Sequence, residues 1–214
     1  MKHAALILAA LALLVPAALA ANGEPTKKLT ATGQARARAV ALKASDFGAG
    51  WKAEPSNSKN QSNPRCSTYN PDQSDLIETG DYDSPDFTRA DGSFVSSTVG
   101  VFRSIGMAQT GYARVAVPQL PACFAELFKN GAKPTPVTII SVGRLSFAMY
   151  GNRTNAYRLT ASVKSGSTNV PVTIDIVLFN RGSVDAAFIF LGISKPLPSS
   201  FEQSLVSRAA ARAG

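Results

Sequence analysis

The longest apolar stretch outside the N-terminus of the chain covers residues 170–193. Apolar side chains occupy alternate positions on both sides of a polar break at residues 180–183, which predicts two β-strands joined by a tight turn. Because this hairpin is apolar on both faces, we expect it in the middle of a sheet that other elements cover. The alternating apolar positions are Val172, Ile174, Ile176 and Leu178 before the break, and Val184, Ala186, Phe188 and Phe190 after it.

The same alternation predicts further strands over residues 94–102, 137–150 and 157–164, with short polar turns between the later ones. Apolar residues at helical spacing predict helices over residues 32–43, 104–116, 121–129 and 200–212. Ser199 and Glu202 have the spacing of a capping box at the start of the last helix. The order of elements predicts an α+β fold, with an antiparallel sheet of about five or six strands flanked by helices.

The N-terminus has the pattern of an export signal. Lys2 and His3 precede an apolar run, and the small residues Ala18-Leu19-Ala20 supply an A-x-A cleavage site. We therefore predict a signal peptide at residues 1–20, a disordered leader at 21–31 and a single domain at 32–214. The predicted location is secreted or otherwise extracytoplasmic, in the cell envelope or outside the cell.

Cys66 and Cys123 are the two cysteines of the chain. In an oxidising compartment they predict one disulfide, and the alternative is a pair of buried free thiols. The disulfide would attach the irregular segment around residue 66 to the helix at 121–129. It would also leave no thiol for catalysis.

His3 is the single histidine, and it lies within the predicted signal peptide. The exported protein would then lack the histidine that Ser-His catalysis, Cys-His catalysis and His-ligated metal sites require. The chain also lacks a G-x-S-x-G elbow and a phosphate-binding loop. These observations predict a protein that is not an enzyme and has neither a cofactor nor a metal. The one metal alternative, calcium on Asp81, Asp83 and Asp86, lacks the pattern of an EF-hand loop.

The formal net charge is +8 at neutral pH, but the charges are unevenly placed. An excess of positive charge favours anionic partners, and the simpler interpretation is a solvated basic surface. Nucleic acid is not an expected partner, because the basic residues are scattered rather than clustered with stacking aromatics. Half of the acidic residues lie in one short segment, namely Asp72, Asp75, Glu78, Asp81, Asp83, Asp86 and Asp91.

Five residues are candidates for a ligand-binding site: Trp51, Arg144, Tyr157, Arg158 and Asp175. Trp51 follows a glycine-rich turn, where it either anchors the turn to the core or stacks on a ligand. Tyr157 is one of several aromatic residues in the predicted strands, and the basic Arg144 and Arg158 lie near it in the sequence. These aromatic side chains either line a ligand-binding cleft or fill the core. Asp175 lies inside an apolar strand, where burial favours the neutral form of a carboxyl group. It is therefore a candidate base, or simply the partner of Arg158.

Three motifs resemble known exported domains. Residues 41–51, ALKASDFGAGW, resemble the L-x-x-x-D-L-P-x-G-W opening of exported bacterial domains. Val99-Gly-Val-Phe102, a helix with Ala108 and Tyr112, and then Cys123 resemble the secreted sensor-like domain of some bacterial serine/threonine kinases. Residues 174–182 and the following helix are similar to small exported proteins with the fold of the photosystem II PsbP protein.

This resemblance implies a non-enzymatic sensor or binding module for a small molecule, a lipid or a component of the cell envelope. The chain departs from the kinase sensor domains, which usually have more than one disulfide, and it carries no kinase, so a signalling role does not follow. Two alternatives stay open. One is an accessory protein that docks on an envelope protein, an anionic surface or the periphery of a membrane, and the other is an enzyme that uses carboxylates or a Ser-Lys pair. The sequence leaves the oligomeric state open.

Overall fold

A nine-stranded mixed sheet forms the centre of the protein in the computed structural model, which describes residues 23–56 and 66–214. The predicted signal peptide lies outside these residues. The strands are β1 (Thr26–Lys27), β2 (Trp51–Glu54), β3 (Ile77–Asp83), β4 (Asp86–Arg89), β5 (Phe94–Phe102), β6 (Val137–Arg144), β7 (Arg153–Ser165), β8 (Thr168–Arg181) and β9 (Val184–Ile193). The helices are α1 (Ala31–Val40), α2 (Ile105–Val115), α3 (Leu120–Gly131) and α4 (Ser199–Ala213), with a short 3₁₀ turn at Ala44–Asp46.

The strand order is β1-β3-β5-β9-β8-β7-β6, and β4 pairs with both β5 and β2. The α+β class is confirmed, and so is the consecutive antiparallel pairing of β6, β7, β8 and β9. The prediction of five or six antiparallel strands is wrong, because the sheet has nine strands and β1 runs parallel to β3. The additional strands are short or rich in polar residues, so the apolar alternation that reveals a buried strand is weak in them.

The β8–β9 hairpin lies in the interior of the sheet, as its apolar pattern predicts. Its side chains alternate between two covered faces. Ile174, Ile176 and Leu178 pack beneath α2 and α3, on what we call the α2–α3 face. Val177, Phe179 and Phe188 pack beneath α1 and α4, on the α1–α4 face. The sheet therefore has a helical layer on each side of the hairpin.

The two cysteines form a disulfide, with 5.4 Å between the Cα atoms of Cys66 and Cys123. Cys123 lies in α3 and is buried against the α2–α3 face, so the bond attaches residues 66–69 to that helix. The predicted disulfide is confirmed. A disulfide is consistent with an extracytoplasmic location.

The helix starts follow two different rules. Ser104 caps α2, since its side-chain oxygen accepts a hydrogen bond from the backbone N–H of Met107 at 3.2 Å. The capping box predicted for α4 is wrong: Pro198 occupies the N-cap position and no side chain caps the helix. Glu202 instead points into the protein, because it lies on the same helical stripe as Leu205, Val206 and Ala209.

Residues at the N-terminal end of the described chain join the sheet. Thr26–Lys27, in the segment predicted as a leader, form β1 beside β3. Thr30 then caps α1 by accepting a hydrogen bond from the backbone N–H of Gly33. None of the helices in the described ranges has the length and apolar character needed to cross a membrane.

Candidate functional site

Two of the candidate residues form a partly buried ion pair on the α1–α4 face. Arg158 of β7 lies directly opposite Asp175 of β8 in the antiparallel register. Its Nε donates to Oδ1 of Asp175 at 2.7 Å, and its Nη2 donates to Oδ2 at 2.5 Å. The Asp175 side chain is 1% exposed, whereas that of Arg158 is 32% exposed. The bidentate contact therefore fixes the guanidinium group while leaving part of it in solvent.

A third ionisable group, Glu202, lies beside this pair. It projects from the first turns of α4, and its residue is fully buried. Neither of its carboxyl oxygens has a hydrogen-bond partner in the described part of the chain. Burial, together with the neighbouring Asp175 carboxylate, raises the pKa of Glu202 to about 9, although the Arg158 charge opposes the shift. Glu202 is therefore a neutral acid at neutral pH.

Sequence reasoning missed this role of Glu202. The capping-box pattern explained the residue as a polar group at a helix end. The signal that identifies it is its place on the apolar stripe of α4, three and four positions before Leu205 and Val206. A carboxyl group on such a stripe must be buried, and a buried carboxyl group favours its neutral form.

The surface next to Arg158 is formed by β6 and β7. Thr160 lies two residues from Arg158 on the same face of β7, and Ser141 of β6 lies opposite Thr160. The hydroxyl groups of Ser141 and Thr160 are 2.5 Å apart. Gly143 lies opposite Arg158, and a Cβ atom at this glycine would meet nothing within 4 Å. We call these four residues, Ser141, Gly143, Arg158 and Thr160, the Arg158 face.

Helix α4 packs on β8 and β9, and the Arg158 face lies beside it toward the edge of the sheet. Ser141 and Gly143 are exposed, and Arg158 and Thr160 are half-buried. The Arg158 face is therefore a polar, solvent-accessible patch next to an apolar core.

Arg144 and Tyr157 lie on the opposite face of the sheet. They are cross-strand partners, and Tyr157 belongs to the core of the α2–α3 face. Burial raises the pKa of Tyr157, and the nearby charge of Arg144 opposes that shift. The Tyr157 hydroxyl is buried without a hydrogen-bond partner among the described residues, while Arg144 is exposed. The structure thus separates these two candidates from Arg158 and Asp175.

Trp51 lies in an aromatic cluster that holds the start of α4. Its ring stacks on Phe201 with 5.4 Å between the ring centroids and contacts Phe47 at 5.2 Å. The Arg89 guanidinium lies over the Trp51 ring at 5.1 Å. Trp51 thus has the packing of an anchor, one of its two predicted roles. Because Phe201 precedes Glu202 in α4, this anchor also holds Glu202 in place.

The acidic segment contains a second set of carboxyl groups. Asp81 pairs with Lys27, and Asp83 accepts a hydrogen bond from Thr98 at 2.7 Å. Burial, with the Asp81 charge, raises the pKa of Glu78 to about 8, and burial raises that of Asp185 to about 7. In residues 23–56 and 66–214 no three His, Cys, Asp or Glu side chains are grouped so that they could hold a metal ion. The calcium alternative therefore has no structural support in this part of the chain.

The chemistry of the site follows from what solvent can reach. Asp175 and Glu202 are buried, so their carboxyl groups act on Arg158 rather than on a molecule in solution. The Nη1 atom of Arg158 makes no hydrogen bond to any described residue. A guanidinium group with free N–H donors beside two hydroxyl groups is suited to holding the oxygens of an anion.

Comparison with known proteins does not assign a function to these residues. No protein-family model matches the chain, and no curated protein matches it. The functional interpretation of this chain therefore rests on the Arg158 face and on the buried carboxyl groups behind it.

Proposed function

We propose that the protein is an exported, non-enzymatic binding module that holds an anionic group at the Arg158 face. The anion is a phosphate or carboxylate carried by a small molecule, a lipid or a component of the cell envelope. The observation that carries this proposal is the bidentate contact between Arg158 and Asp175, which orients the guanidinium while its Nη1 remains without a partner in the described chain.

Orientation by Asp175 favours binding because little of the Arg158 side-chain freedom is left to be lost. A flexible arginine loses about 2 kcal/mol of rotamer entropy when it is fixed on a ligand. In this site the buried carboxylate has already fixed it. The hydroxyl groups of Ser141 and Thr160 are hydrogen-bonded to each other, which leaves one O–H that can donate to a further oxygen of the same anion.

The electrostatic balance of the site does not oppose an anion. With Glu202 neutral, the set of Arg158, Asp175 and Glu202 has no net charge, whereas an ionised Glu202 would make it negative. No acidic residue occurs between Glu126 and Asp175, so β6 and β7 carry no carboxyl group that would repel an anion at Arg158.

The burial of both carboxyl groups supports binding over the enzyme alternative. A general acid or base must approach the proton that it transfers to within hydrogen-bonding distance. Asp175 and Glu202 are covered by the sheet and by α4, so a substrate in solution would not reach them. Export is supported by the signal-peptide pattern and by the disulfide.

The experiment is a titration followed by amide NMR with three probes: inorganic phosphate, vesicles containing phosphatidylglycerol and vesicles of phosphatidylcholine. The proposal expects shifts centred on Arg158 with either anionic probe and none with the neutral lipid. A response to phosphate alone would indicate a soluble ligand, and a response to anionic vesicles alone would indicate a lipid headgroup.

The paired substitutions Ser141→Ala and Thr160→Val test the site without disturbing the Arg158–Asp175 pair. They should weaken anion binding by about tenfold, as expected for the loss of one hydrogen bond. Lys129→Gln on α3 is the matched control, because Lys129 is exposed and basic but lies on another element. Equal losses in the control and in the paired variant would overturn the proposal.

A further inference from the structure

Strand β6 forms an open edge of the sheet. It is the last strand in the strand order and, in the described part of the chain, pairs only with β7. Natural proteins usually protect such an edge with charged side chains, with proline or with a bulge, because its outward N–H and C=O groups can pair with another chain. Val137–Arg144 contains no lysine, acidic residue or proline, and its one charged residue, Arg144, is at the last position. The other protective feature of the edge is a bulge at Ile140.

Apolar side chains are exposed along this edge. Ile140 is 65% exposed and Val142 is 39% exposed. The bulge leaves Ile140 without a partner on β7, and regular pairing resumes from Ser141 to Arg144. An edge with free backbone groups and exposed apolar side chains is suited to the addition of a strand from another molecule.

Basic residues mark both ends of β6. The backbone N–H of Lys164 donates to the carbonyl of Pro136 at 3.0 Å, which places Lys164 beside the start of β6. Lys133 precedes the same end of β6 in the chain. Arg144 is the last residue of the strand. A second copy adding its own β6 in antiparallel orientation would bring its Arg144 toward Lys133 and Lys164, and like charges in such positions are destabilising. An acidic strand would place opposite charges there.

We infer that β6 is a docking edge for an extended, acidic segment of another protein, which adds to the sheet as a further strand. The backbone ladder supplies the affinity, and Ile140 and Val142 contact apolar side chains of the incoming strand. Lys133, Arg144 and Lys164 select against a basic partner. This inference is independent of anion binding at the Arg158 face.

The test uses hydrogen exchange followed by NMR, with a blocked peptide of alternating glutamate and valine and a control peptide of alternating lysine and valine. The acidic peptide should slow the exchange of outward-facing β6 amides by about tenfold or more, and the basic peptide should not. The double substitution Ile140→Asp and Val142→Asp should abolish the effect. The matched control is Ile105→Asp, since Ile105 is also an exposed apolar residue but begins α2.

Three outcomes would overturn the inference. One is equal protection by both peptides, and another is protection outside β6. The third is a wild-type dimer in sedimentation experiments that is lost in the double variant Ile140→Asp and Val142→Asp. The strand that adds to β6 would then come from a second copy of this protein. Thr160→Val separates the two proposals: it should weaken phosphate binding and leave the peptide effect unchanged.

Discussion

Replacing Glu202 by glutamine should make the protein less sensitive to alkali. Glutamine has nearly the same shape as glutamic acid, is always neutral and can donate a hydrogen bond from its amide to Asp175. The wild-type side chain, by contrast, ionises in the unfolded chain near its ordinary pKa of 4.5 and in the folded protein at about 9. The Glu202→Gln substitution therefore removes one titrating group while keeping the buried volume.

The magnitude follows from proton linkage. Between these two pKa values the folded state holds one proton more than the unfolded state at this position. The free energy of unfolding of the wild type then falls by about 1.4 kcal/mol for each unit of rising pH. From pH 5 to pH 8 the loss is about 4 kcal/mol. Below the unfolded pKa both states are protonated and the contribution is constant.

The assay is urea denaturation of wild type and Glu202→Gln at several pH values. The difference between the two unfolding free energies isolates Glu202, because Glu78, Asp185 and every other titrating group are present in both proteins. The variant should gain stability relative to the wild type steadily from pH 5 to pH 8. The claim that Glu202 is buried and neutral would be refuted if the difference in unfolding free energy stayed constant over this range. It would also be refuted if the variant became less stable relative to the wild type as the pH rises.

Three further predictions concern the scaffold. Burial tends to raise the pKa of Asp46, but the hydrogen bond from Arg212 outweighs it and the pKa is lowered. Asp46→Asn should therefore reduce the free energy of unfolding by about 2 kcal/mol at neutral pH, measured by denaturant melts. The reduction should become smaller as the pH falls through the folded pKa of Asp46. Reducing the disulfide, whose cysteines are 57 residues apart, should lower the free energy of unfolding by about 4 kcal/mol, and no loss would mean that it does not constrain the chain. Gly33→Ala should cost about 2 kcal/mol, since its Cβ would overlap the carbonyl of Thr79 where α1 crosses β3, whereas the control Gly48→Ala should melt like the wild type.

The sequence predicted the parts of the fold that bury apolar side chains in a regular period. The β8–β9 hairpin, the antiparallel run from β6 to β9 and the helix around Cys123 all have a clear alternation or helical stripe. Strands β1 to β4 have none, because they are short or carry polar residues such as Asp81 and Asp83. Their pairing depends on tertiary contacts, which a local pattern does not record.

The site was predictable in part for the same reason. Asp175 is conspicuous inside an apolar strand, and pairing with Arg158 was one of its two predicted roles. Glu202 was assigned to a helix cap, because local hydrogen-bonding patterns and burial compete for the same residue near a helix start. Arg144 and Tyr157 were grouped with Arg158, but the alternation of side chains along β7 places Tyr157 and Arg158 on opposite faces.

The most direct test of the proposed site is a ¹³C NMR titration of the Glu202 carboxyl group, with and without sulfate, at matched ionic strength in chloride. Sulfate keeps its charge over this range, and its binding at Arg158 would further disfavour an ionised Glu202. The midpoint should lie near pH 9 without sulfate and move upward with it. A midpoint near the ordinary value of 4.5, or one that sulfate does not move, would contradict the account.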